Sequence, residues 1–267
     1  MLKTRMILIA VCAALWATTV ARADEPLRLR LLSYNIHHGE GVDGKLDLER
    51  IAQVILSVKP DLVALQEVDQ NASRSRSVDQ PAELARLTKM NVVFGGNIPL
   101  QGGHYGNAVL SRFPIVRHHH HRLPNIDDGE QRGVIETEIQ VPSAATPIVM
   151  LATHFDHRRE DQERFASAQA IEQMISDRPD QPALLLGDLN DVAGSRTLTR
   201  LATRWTSVNE QPLPTIPVAR PARQIDFILY RPQNRWRVME TRVLEEAVAS
   251  DHRAIFSVLE LLPEAGR

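Results

Sequence analysis

The chain contains one cysteine, Cys12, which sits in an apolar run near the N-terminus. Beyond that run there is no thiol to form a disulfide or a sulfur-rich zinc site, so stability must come from a packed core. Aromatic residues are only 4 % of the chain. No aromatic-rich hydrophobic hairpin offers itself for membrane insertion, and the candidate surface loop at residues 71–80 is polar. Internal repeats and low-complexity linkers are absent, so nothing in the composition divides the chain into two large domains. A concentrated basic face is missing as well. Arg74, Arg76, Arg112, Arg117, Arg122, Arg158 and Arg159 are scattered among acids, and the formal net charge is −2. That distribution argues against a processive grip on long duplex DNA but leaves looser polyanion binding open.

At the N-terminus, Lys3 and Arg5 precede an apolar run from Met6 to Val20 and a small-residue site at Ala21, Arg22 and Ala23. This pattern is expected of a cleavable secretory signal over residues 1–23, with a membrane anchor as the competing reading; the run is short for a bilayer span. Cleavage would remove the only cysteine, which argues against a lipoprotein. It would also remove three of the 31 basic residues and none of the 33 acidic ones, leaving a charge of about −5 with neutral histidines. The expectation is an exported protein, periplasmic or secreted, whose residues 24–267 form one domain.

Hydrophobic periodicity predicts a mixed α/β fold. Leu27, Leu29 and Leu31 alternate with arginines as in a half-buried strand ending at Asn35. Asp47 is placed to cap a helix carrying Leu48, Ile51, Ala52, Ile55 and Leu56, and Pro81 opens a second helix. Strands are expected at 62–65, 107–110, 115–121, 134–141, 148–153, 183–186, 225–230, 238–243 and 254–259. Further helices are expected at about 162–175 and 197–201. Several strands follow one another with no helix between them, which favours two packed mixed β-sheets flanked by helices over a doubly wound parallel sheet.

Short polar motifs follow the hydrophobic strands: SYNIHHG, LQEVD, THFDH, LLLGDLND, QIDFILY and SDH. Their carboxylates, amides and imidazoles, brought to a common sheet edge, have the composition of a metal-assisted phosphate-cleaving centre. Hard Mg²⁺ takes oxygen ligands from one or two carboxylates, keeps several waters and is completed by substrate phosphate, which suits Glu67 and Asp251 with the Asn35 amide nearby. Mn²⁺ is the alternative ion.

The order SYNIHHG, LQEVD, YGNAVLSR, THFDH, GDLND, QIDFILY, SDH resembles the endonuclease/exonuclease/phosphatase superfamily over nearly the whole of residues 24–267. GDLND and SDH are its most specific signatures. The resemblance implies a DNase I-like, four-layer α/β sandwich and cleavage of phosphoester bonds. Family substrates range from nucleic acids to inositol phosphates and sphingomyelin, so the fold implies chemistry rather than substrate. Residue by residue, it implies Glu67, Asn35 and Asp251 on the metal side. It makes Asp188 the group that orients or deprotonates the attacking water, with Asn190 two residues on in an extended segment. His154 and His252 would flank the phosphate, and Asp226 would sit behind His252 to keep it charged.

His38 and Asn107 are weaker candidates for substrate contact, the first against a solvated loop histidine and the second against a turn amide. His37 shares the ambiguity of His38. Arg132 and Arg164 are candidates for either the site or structural ion pairs. In the tract 118–121, strand alternation would send His118 and His120 to one face and His119 and His121 to the other, so four imidazoles do not converge on one ion. The expected partner is a phosphate-ester substrate (nucleic acid, lipid head group or small diester), with no stable protein partner and a monomeric state. A binding module that lost the chemistry is the rival from another class.

Overall fold

The structure, a computed structural model, describes residues 26–263 apart from 127, 143 and 145. The expected signal segment at 1–23 lies outside the described residues. In chain order the elements are β1 (Leu27–Asn35), α1 (Leu48–Ser57), β2 (Leu62–Gln70), α2 (Gln80–Thr88), β3 (Asn91–Leu100), β4 (Gly103–Ser111), β5 (Ile115–Arg122), β6 (Gly133–Ile139), β7 (Ile148–His154), α3 (Gln162–Met174), β8 (Ala183–Asp188), α4 (Arg196–Leu201), β9 (Thr206–Ser207), β10 (Asp226–Arg231), β11 (Trp236–Val243) and β12 (Ile255–Leu261).

The strands form two six-stranded sheets, ordered β11-β12-β1-β2-β4-β3 and β5-β6-β7-β8-β10-β9. Both are mixed: β1 and β2 run parallel in the first, β7 and β8 in the second, and the other pairings are antiparallel. Side-chain alternation explains the layers. Leu29, Leu31, Leu62 and Ala64 of the first sheet meet Ile135, Met150, Leu184 and Ile228 of the second in a shared core. On the outer face of the first sheet, Leu32, Tyr34, Val63 and Leu65 pack with Ile51, Ile55 and Leu84 of α1 and α2. On the outer face of the second, Val149, Leu151, Leu185 and Phe227 pack with Ala168, Ile171 and Leu198 of α3 and α4. The result is the four-layer sandwich anticipated above.

Asp47 caps α1 by accepting the Arg50 amide at 2.8 Å, and Asp79 caps α2 by accepting that of Ala82 at 3.1 Å, with Pro81 in the first turn. Two differences from the sequence reading stand out. Strand β3 is not among the expected strands; a Cβ on Gly95, in its middle, would come within 2.7 Å of the His120 ring, so the glycine serves close packing within a strand. Strand β2 continues past Leu65 to Gln70, with a bulge against β4 between Leu65 and Val68, so Glu67 lies within a bulged strand and not beyond its end.

Candidate active site

The same alternation that builds the core between the sheets delivers the polar cluster. Met150 and Ala152 of β7, Leu184 and Leu186 of β8, and Ile228 and Tyr230 of β10 face that core. Two-residue steps along the same faces reach His154, Asp188 and Asp226. These three are neighbours across the ladders: His154 pairs with Asp188, and Asp226 pairs with Asp188. In the opposite sheet, Leu29 and Leu31 lead by the same steps to Ser33 and Asn35. The site therefore occupies the edge where the inner faces of both sheets run out of apolar residues.

Asp188 is the hub. Its Oδ2 accepts from Asn35 Nδ2 at 3.1 Å and lies 3.5 Å from His154 Nε2 and 3.7 Å from His252 Nε2. Its Oδ1 accepts the Asn190 backbone N–H at 2.9 Å. On its far side, His252 places Nδ1 2.9 Å from Asp226 Oδ2. Ser250 fixes the loop that carries His252, donating from Oγ to Asn35 O at 2.7 Å and accepting from His252 N at 3.2 Å.

The electrostatics separate the two histidines. Burial pulls the His252 pKa down, but the charge and hydrogen bond of Asp226, helped by Asp188 and Asp251, outweigh it and raise the value to about 10. His252 is an imidazolium at neutral pH. For His154, burial and then the charges of Arg132, His252 and His157 all act downward, and it is neutral. Its tautomer follows from its neighbours: Arg132 Nη1 donates to Nδ1 at 3.1 Å, so Nε2 carries the proton and faces Asp188. Asn190 Nδ2, 3.0 Å from that nitrogen, is then in contact with it and makes its hydrogen bond to Phe155 O at 3.1 Å. Asp188 itself is raised to about 7, by burial first and the Asp226 carboxylate second, with His252, the Asn190 N–H and the Asn35 amide opposing.

The backbone at Asn190 corrects the sequence reading. It is not extended but left-handed, with φ +50°, and its N–H closes back onto Asp188 in the turn that Asn tolerates better than most residues.

The metal-side residues lie beside this hub. Asn35 Nδ2 also donates to Glu67 Oε1 at 2.9 Å, so its amide nitrogen bridges the two acids while its oxygen accepts the His37 N–H at 3.1 Å. By strict alternation Glu67 would follow Val63 and Leu65 toward the helices. The bulge gives that place to Val68, which joins the outer core, and Glu67 takes φ +58°. Glu67 is half-buried, and one ligand atom each from Glu67, His37 and His38 lie within 4.8 Å of one another. Asp188, Asp226 and His252 form a second such group. A half-buried carboxylate with adjacent imidazoles is a donor set that fits a divalent cation. Asp251 is exposed and belongs to neither group.

His38 thus joins the metal-side cluster. Asn107 is fully buried on the inner face of β4, donating to Gly133 O at 3.1 Å while its Oδ1 has no partner among the described residues. Arg132, undecided from sequence, is 1 % exposed; it pairs with Glu130 at 2.8 Å and donates to both His154 and, at 3.0 Å, His157. THFDH contained the signal for His157, since two residues separate it from His154. Arg164 holds backbone carbonyls of Asp156 and Arg158 and pairs with Asp191, which is structural work. In the tract 118–121 the alternation holds: the His119 and His121 rings are 4.2 Å apart, whereas His120 turns to Asn97 Oδ1 at 2.9 Å.

Comparison with known proteins bears on the family and the fold. The chain is 28 % identical over 213 residues to the uncharacterized protein YbhP of Escherichia coli K12, covering 74 % of this chain and 83 % of that protein. Among solved structures, an endonuclease/exonuclease/phosphatase from Beutenbergia cavernae superposes with a TM-score of 0.75 at 26 % identity, over 88 % of this chain and 72 % of that one. A mannosyl-6-phosphatase from Bacteroides thetaiotaomicron gives a TM-score of 0.72 at 18 % identity, over 88 % and 100 % of the two chains, a likeness of fold. The endonuclease/exonuclease/phosphatase family model matches residues 32–252, a span that opens within β1 and closes on His252. With that model matching most of the chain and the two-sheet fold in agreement, the chain belongs to the endonuclease/exonuclease/phosphatase family.

Proposed function

We propose that the protein is a divalent-metal-dependent phosphodiester hydrolase that works by in-line attack of water. The observation that carries this reading is the opposition of Asp188 and His252: a buried carboxyl raised to about 7 beside an imidazolium held by Asp226. A base with a pKa near 7 takes a proton from water efficiently at neutral pH, and an imidazolium aimed at the same space meets the negative charge that grows on the phosphate oxygens.

Each residue then has a task. Asp188 positions the water and receives its proton. Asn35 and the Asn190 N–H hold the Asp188 carboxylate in place. His252 donates from Nε2 to a non-bridging oxygen, while Asp226 keeps it charged and oriented. Neutral His154, locked as the Nε2–H tautomer by Arg132, offers a second donor on the same side. A cation held by Glu67 and its neighbours would supply Lewis-acid charge to the phosphate. The products are a phosphate monoester and an alcohol.

The charge balance favours a diester. With a divalent cation offsetting Glu67, His252 is the one imidazolium set among Asp226, Asp188 and Asp251, a surround better suited to the single negative charge of a diester than to a dianionic monoester. The absence of a basic track points to a small soluble diester or a loosely held nucleic acid. Hydrolysis of a generic phosphodiester and a matched monoester, each with Mg²⁺, Mn²⁺ or EDTA, tests the reading beside Asp188→Ala. Metal-dependent diester cleavage that the variant loses is the expected result. Preference for the monoester would replace the diester reading, and EDTA-resistant turnover would remove the metal.

A further inference from the structure

We propose that His37 and His38 complete the Glu67 position as a two-imidazole, one-carboxylate site, and that it takes a first-row transition ion in preference to Mg²⁺. The inference rests on the metal dependence proposed above and assigns the ion class. It starts from a departure in chemistry: hard Mg²⁺ sites are built from oxygen, whereas here two imidazoles approach the carboxylate to within 4.8 Å, their rings 4.5 Å apart and tilted by 58°.

The surroundings of both rings leave a nitrogen able to ligate: the His37 tautomer is fixed by a hydrogen bond, and neither His38 nitrogen is engaged in one among the described residues. His37 Nδ1 lies 3.0 Å from Glu40 O, and since a carbonyl only accepts, that nitrogen carries the proton and Nε2 is free to ligate. His38 Nε2 lies 3.6 Å from the Glu40 carboxylate, while its Nδ1 is buried with no hydrogen-bond partner among the described residues. One ring nitrogen engaged by a carbonyl or carboxylate and the other left as acceptor is the state in which histidine binds metal. Glu40 orients the His37 ring in this way.

The backbone is shaped for the same end. His37, His38 and Gly39 adopt φ of +45°, +44° and +78°, and Glu67 opposite them +58°. Left-handed conformations in successive residues carry a cost and persist only where surroundings enforce them. Gln80 does so here, donating to His38 O at 2.6 Å and accepting from Asp69 N at 3.0 Å, which ties the histidine turn to β2. The turn is therefore held against the strand that carries Glu67. Imidazole donors shift preference along the divalent series toward Co²⁺, Ni²⁺ and Zn²⁺, and geometry rather than charge alone then sets the affinity.

The test titrates metal-free full-length protein with Co²⁺ and, by calorimetry, with Mg²⁺. Both are done in a His119→Ala, His121→Ala background, so that the imidazole pair on β5 does not contribute. The expected outcome is visible ligand-field absorption, Co²⁺ affinity at least about a hundredfold above that for Mg²⁺, and two solvent-exchangeable, paramagnetically shifted imidazole N–H signals. His37→Asn and His38→Asn, which tolerate the left-handed backbone, should each weaken Co²⁺ about tenfold or more and remove one of those signals, with Mg²⁺ unaffected. Equal affinities for the two ions, or Co²⁺ binding without shifted imidazole signals, would overturn the inference and leave the metal-dependent reading intact. A wild-type protein that binds neither ion and hydrolyses diesters in EDTA would overturn both.

Discussion

Asp226 Oδ2 lies 2.9 Å from His252 Nδ1, and the other oxygen of the same carboxylate is buried without a hydrogen-bond partner among the described residues. The carboxylate is thus committed to the imidazole. Asp226 is also the cross-strand neighbour of Asp188, so one charge raises both the imidazolium and the carboxyl that faces it.

This coupling gives a pH profile. The acid limb of kcat/KM should report Asp188, near 7 or below it once a bound cation favours the carboxylate. The alkaline limb should report loss of the His252 proton near 10. Asp226→Asn removes the charge that raises both values, so both limbs should move toward acid, the alkaline one by about one pH unit or more. Stability follows the same linkage. A histidine whose folded pKa is raised stabilises fully below its unfolded value of about 6.5 and loses that contribution as pH climbs through about 10. Thermal melts between those limits should show a steeper decline for the wild type than for Asp226→Asn, and parallel declines would refute the pairing.

Asp188→Ala should lower kcat by about 10²–10⁴-fold, the range for removing a general base, with a much smaller change in KM. EDTA should abolish what remains, and added divalent ion should restore wild type and variant each to its own level, leaving the gap between them unchanged. A variant that kept more than about a tenth of wild-type kcat would remove Asp188 from the chemistry.

Arg132 makes a different prediction, because it touches His154 without reaching the phosphate side. Arg132→Ala leaves Glu130 unpaired and should cost about 3 kcal/mol in urea unfolding, within the range for breaking a largely buried pair. Arg132→Lys keeps the charge but cannot serve both His154 and His157 with a planar fork. Imidazole ¹⁵N shifts should then show His154 divided between tautomers where the wild type has Nε2–H alone.

Period-two alternation made much of this legible in advance. Apolar strands that end in His154, Asp188 and Asn35, or begin with Asp226, must present those residues on the face of their even- or odd-numbered neighbours, and the core between the sheets fixes which face that is. What escaped the sequence is whatever breaks the period. The bulge that turns Glu67 away from the helices leaves no mark in LQEVD, and the left-handed turn at Asn190 reads in GDLND as two more extended residues. Arg132 escaped for another reason: its meaning lies in two histidines more than twenty residues away, and only the packed sheets bring them to it.

The backbone at Glu67 supplies the last prediction. An L-residue at φ +58° within a strand carries about 1–2 kcal/mol of steric cost that glycine does not, offset in part by glycine's greater freedom in the unfolded chain. Glu67→Gly also removes a carboxylate whose hydrogen bond from Asn35 is shared with Asp188, so the amide keeps a partner. The variant should therefore be as stable as the wild type or more stable by up to about 1 kcal/mol, while divalent-ion binding and metal-dependent turnover are lost. Glu67→Ala, which keeps the Cβ and hence the strain, should be the less stable of the two, although it removes the same carboxylate. Calorimetric unfolding of both variants checks the order. If Glu67→Ala proved the more stable, the left-handed turn would not be a constraint imposed for the sake of the ion, and the bulge would need another explanation.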